Sequence, residues 1–113
     1  MADTITISTV NGAAPSADQN IPQPVPSAFE VTGTLDGKGI PPGTVKIDVT
    51  YPNNPQKNKT FVAPAPIASW SIDLAGLDPT APENYTLLTA RLFAGGGGGP
   101  SLASDGPKFI DVV

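Results

Sequence analysis

Several short segments of the chain alternate apolar and polar residues with a period of two. Val45-Lys46-Ile47-Asp48-Val49-Thr50-Tyr51 is the cleanest, with apolar side chains at every odd position. Thr4-Ile5-Thr6-Ile7-Ser8, Phe29-Glu30-Val31-Thr32 and Trp70-Ser71-Ile72-Asp73-Leu74 repeat the pattern. Such alternation predicts strands with one face in a core and the other in water. It places Phe29, Val31, Val45, Ile47, Val49, Trp70, Ile72 and Leu74 in one interior. Tyr85 to Phe93 also reads as a strand, but Tyr85 and Leu87 oppose Leu88, Ala90 and Leu92. Either a bulge or burial of both faces accounts for that mixed phase. Thr60-Phe61-Val62 and Lys108 to Val113 complete the set.

Turn residues separate these segments: Asn11-Gly12, Asp36-Gly37, Pro41-Pro42-Gly43, Pro52-Asn53-Asn54-Pro55, Asp78-Pro79 and Asp105-Gly106. With fourteen prolines and twelve glycines, no long helical pattern survives. About seven short strands between turns predict an all-β, two-sheet antiparallel sandwich. The 113 residues suit a single domain, 1–113. Within it, 13–26 is a Pro-rich connection running extended against the body. Gly95 to Gly99 is expected to form a mobile loop.

The motifs Val31-Thr32-Gly33-Thr34, Ser69-Trp70-Ser71-Ile72-Asp73-Leu74-Ala75-Gly76-Leu77 and Tyr85-Thr86-Leu87 with Thr89-Ala90 occur in that order. Together they resemble the bacterial immunoglobulin-like domains found in tandem in large adhesins and cell-surface proteins. The resemblance covers residues 28–113. It departs from the family at Pro66-Ile67-Ala68, where an Asp-Gly turn is usual, in the long stretch from Pro52 to Pro66, and at the polyglycine loop. It implies an immunoglobulin-like sandwich of extracellular or cell-surface location. Its partners would be neighbouring domains of the same parent chain, and the isolated domain would be a monomer. In the family, calcium can sit at domain junctions. Asp3 and Asp111 lie near the two ends, but two carboxylates fall short of the six to eight oxygens of a calcium site.

Composition removes most chemistry. A net charge of −4, with Lys57 and Lys59 as the nearest approach to a basic cluster, gives no footprint for nucleic acid. No cysteine is present, so neither a disulfide nor a thiolate metal site is available. No histidine is present to serve a serine nucleophile as base. Met1-Ala2-Asp3 lacks the basic and apolar regions of a signal peptide, and no apolar run is long enough to span a membrane. Asp73, Asp78 and Glu83 could be paired carboxylates for glycoside chemistry. Solvated strand and turn positions account for them more simply. After Gly99 come Pro100 and Ser101, which breaks both the phosphate-loop and the dinucleotide patterns.

Trp70 could stack on a sugar, but its phase with Ile72 and Leu74 assigns it to the core. Tyr51 precedes Pro52 at the end of an apolar face and belongs to the core or its rim. Asn58-Lys59-Thr60 and Asn84-Tyr85-Thr86 match a glycosylation pattern that is incidental in a bacterial protein. The sequence thus nominates no catalytic, cofactor-binding or metal residue, and no cofactor. The expected function is a non-catalytic structural spacer or adhesion module of a larger surface or secreted protein. The alternative is a glycan- or protein-binding module using the loops at one end of the sandwich.

Overall fold

The alternating segments pair into two sheets in a computed structural model, which describes residues 3–37, 42–81, 84–96 and 98–113. The strands are β1 (Thr4–Val10), β2 (Gln23–Val25), β3 (Phe29–Asp36), β4 (Gly43–Thr50), β5 (Lys59–Pro64), β6 (Ser69–Leu74), β7 (Thr86–Ala94) and β8 (Ala103–Val112). One sheet has the order β1-β3-β6 and the other β2-β8-β7-β4-β5. All pairings are antiparallel except the short β2–β8 pairing. A single turn of 3-10 helix, Pro55–Lys57, is the only helical element among the described residues.

The eight core residues read from the alternation all lie in one buried cluster. Trp70 is 4% exposed, which answers the question of its phase in favour of the core. Its indole lies where Gly33 leaves room: a Cβ on Gly33 would overlap both the ring and the Thr6 carbonyl oxygen. Gly33 and Trp70 are directly opposed across β3 and β6, so the missing side chain of one accommodates the large ring of the other. The indole Nε1 donates to the Thr34 carbonyl at 3.2 Å, so the buried N–H is satisfied.

The mixed phase of the seventh strand has two causes. β7 is the middle strand of its five-stranded sheet. Thr86, Leu88, Ala90 and Leu92 face the core, while Phe93 on the opposite face is also buried. The pairing of β7 with β8 also shifts register between Leu88 and Ala90. Both a bulge and second-face burial are therefore present.

Two expectations need correction. Asp105-Gly106 is not a turn between strands; it lies inside β8, which begins at Ala103 rather than Lys108. Gly106 has φ 134°, and a Cβ there would come within 2.8 Å of the Leu88 carbonyl oxygen. The glycine serves the β7–β8 bulge, a local need that looks like a turn signal in sequence. The Pro-rich connection also contains β2. Its extended backbone adds an edge strand, and Pro24 is tolerated because an edge leaves one side of the ladder unpaired.

Asn11-Gly12 does form the expected tight turn. Both residues have positive φ, and Val10 and Ala13 exchange backbone hydrogen bonds around them. The Pro41-Pro42-Gly43 turn lies partly outside the described residues, as do Met1-Ala2 and Glu83.

Strand directions fix the path of the chain. β1 runs from a pole shared with the end of β3, where Thr4 pairs with Asp36. β8 runs to the other pole, where Val112 pairs with Val25. β3, β5 and β7 end at the pole of Thr4, and β4 and β6 end at the pole of Val112. Thr4 and Val112 therefore lie at opposite poles of an elongated body measuring 41 × 26 × 20 Å.

Candidate functional site

The pole of Val112 carries a surface cleft lined by aromatic, amide and cationic side chains. A cleft of about 260 Å³ opens between the segment after β4 and the segment before β7. The Pro52-Asn53-Asn54-Pro55 run turns the chain after β4, and the 3-10 turn that follows ends at Lys57, which lines the cleft. The other wall is Pro79, Thr80, Ala81, Asn84 and Tyr85.

Tyr51 forms part of the lining and is itself 4% exposed, so it belongs to the core rather than to an open rim. Its hydroxyl donates to the Asp78 carbonyl at 2.8 Å, tying one wall to the other. Burial raises the phenol pKa above its ordinary value. The Asp78 charge adds to that shift. Tyr85 is half-buried and meets Phe109 edge to face at 5.1 Å between centroids. The Asn53 amide donates to the Asn84 carbonyl oxygen across the opening. Thr80 shares a hydrogen bond with the buried Thr86 at 2.6 Å, and its backbone N–H donates to the Val112 carbonyl at 2.8 Å. These bonds anchor the loop before β7 to the last strand.

Both glycosylation-pattern asparagines have structural work. Asn58 accepts the Tyr51 backbone N–H at 2.7 Å, and Asn84 holds Asn53.

The acidic residues do not converge. Asp73 is exposed on β6, opposite Glu30 in the cross-strand register. Asp78 is exposed at the pole, and Glu83 lies outside the described residues. Asp3 sits beside Gly37 at one pole, while Asp111 pairs with Pro24 near the other. No group of three potential metal-ligating side chains occurs among the described residues. Of the polyglycine loop, Gly97 lies outside the described residues. A Cβ at Gly95, Gly96, Gly98 or Gly99 would meet open space.

Sequence reasoning missed Asp105. Its carboxylate accepts the Ile7 backbone N–H at 2.7 Å and lies 3.6 Å from the Lys108 amine. It thus joins the edge strand β1 of one sheet to β8 of the other, and it occupies a backbone donor on that edge. The only sequence signal was an Asp-Gly pair, which reads as a turn.

No protein-family model matches the chain, and no curated protein matches it. No helix among the described residues is long and apolar enough to cross a membrane.

Proposed function

We propose that this chain is an immunoglobulin-like domain acting as a non-catalytic structural spacer or adhesion module in a larger bacterial surface or secreted protein. The observation that carries the reading is the chain path. Strand pairing reaches Thr4 at one pole and Val112 at the other, in a body whose longest extent is 41 Å. A unit built this way transmits the chain end to end, and copies joined through their own termini extend into a rod.

The strand order supports the immunoglobulin-like part of the reading. β1, β3 and β6 correspond to strands A, B and E of that fold, and β4, β7 and β8 to C, F and G. β5 lies beside β4, as an added C′ strand does in variable-type domains. The chain departs from antibody domains in lacking the disulfide and in carrying its tryptophan on β6.

The parent gene tests the proposal. Flanking segments with Trp-Ser-Ile-Asp-Leu-like runs are expected at a spacing of roughly 100 residues, together with an export route. A gene encoding this domain alone, with no export route, would overturn the spacer reading.

A further inference from the structure

We propose that the cleft at the Val112 pole is a saccharide site that takes one acidic pyranose residue, such as a hexuronate in a polysaccharide. The inference does not rest on the spacer reading; a free-standing domain could use the same cleft.

Its size is the first argument. About 260 Å³ lies at the lower end of small-molecule sites, which run from about 300 to 1,000 Å³. That volume suits a single sugar ring better than an extended peptide, which needs a groove with successive pockets.

The lining chemistry is the second. Tyr85 offers a partly exposed ring as an apolar wall, and Tyr51 is held rigidly at the base by its bond to Asp78. Around them stand amides and a hydroxyl: Asn53, Asn54, Asn84 and Thr80. The bond between Asn53 and Asn84 orients both amides and leaves each with unused capacity, an acceptor oxygen on Asn53 and a donor nitrogen on Asn84. Paired donors and acceptors beside an aromatic wall match a polyol ring, which presents hydroxyls at its edge and C–H groups on its faces.

The charge is the third. Lys46 lies over the Phe93 ring, Lys59 donates to the Gly76 carbonyl, Arg91 pairs with Asp48 and Lys108 with Asp105. Lys57 lines the cleft, and its side-chain amine has no hydrogen-bond or ion-pair partner among the described residues. Among the described residues, no carboxylate side chain lines the cleft with it. A half-buried lysine lining a polar cleft selects a ligand carrying an anion.

The test is an amide chemical-shift titration of the whole 113-residue chain with methyl β-glucuronide, methyl β-glucoside, acetate and a proline-rich peptide. Saturable shifts confined to Asn53, Asn54, Lys57, Thr80, Asn84 and Tyr85 are expected with the glucuronide, at millimolar affinity. Tyr85→Ala should weaken binding about tenfold, from loss of the aromatic wall. Lys57→Met keeps an aliphatic side chain of similar length at this partly exposed position and removes the charge. It should weaken glucuronide binding about two- to fivefold and leave the glucoside unchanged. The proposal fails if the glucuronide gives no localised shifts, or if acetate alone reproduces them. It also fails if Lys57→Met affects both sugars equally, or if only the proline-rich peptide fills the cleft.

Discussion

The outer faces of the two sheets are built on different principles. On the three-stranded sheet the solvent side carries Thr4, Thr6, Thr32, Thr34, Ser69 and Ser71, with Glu30, Asp36 and Asp73 and no lysine or arginine. On the five-stranded sheet the corresponding side carries Lys46, Asp48 and Arg91 above a buried Phe93. The Lys46 amine lies 4.7 Å from the Phe93 ring centroid, and the Arg91 guanidinium carbon 5.3 Å from it. Arg91 also pairs with Asp48. A small sheet can leave one side to water. In the wider sheet the middle strand gathers neighbours on both sides, and long cationic side chains cover an aromatic ring there.

The largest expected effect probes what the two sheets share. Trp70→Ala should cost about 3–5 kcal/mol, through lost transfer energy and the cavity left above Gly33. The whole domain has a stability on the order of 5–15 kcal/mol, so chemical denaturation should show a large fall in midpoint. An unchanged midpoint would remove Trp70 from the core.

The next pair separates the outer faces directly. Phe93→Ala should destabilise by about 1.5–3 kcal/mol, because the ring is covered although it faces away from the core. Thr34→Val, at an exposed position on the other sheet, should stay within about 0.5 kcal/mol. Equal effects from the two would mean that the faces do not differ as described.

The contrast also explains which parts of the fold were legible in the sequence. β4 and β6 each bury one face, so their alternation gave phase, extent and core residues together. β7 buries Phe93 on its second face and carries a register shift against β8, so no single period fits it. Asp105-Gly106 misled because a bulge and a turn both call for a flexible glycine after a small polar residue. β2 was hidden because a three-residue edge strand holding Pro24 has no room to show a period. The cleft was invisible for another reason. Its walls are separated by more than twenty residues, and Tyr51, Asn53 and Lys57 meet Asn84 and Tyr85 only once β4 and β7 have paired.

A smaller effect concerns the tie across that cleft. Tyr51→Phe should cost about 1 kcal/mol, through the lost hydrogen bond to Asp78. The phenol pKa is raised in the folded state, chiefly by burial, so its neutral form is favoured there. This contribution is fully present below the unfolded pKa of about 10 and is lost as pH rises through the folded value. Stability measured against pH should therefore fall less steeply in alkali for Tyr51→Phe than for the parent chain.

The central claim is that the chain enters at one pole of the sandwich and leaves at the other. A distance measurement between spin labels at Asp3→Cys and Val113→Cys tests it most directly, since the chain has no other cysteine to take a label. A single narrow distribution nearer to the 41 Å long axis than to the 20 Å thickness is expected. A distribution centred near the thickness would place both ends at one pole and contradict the account.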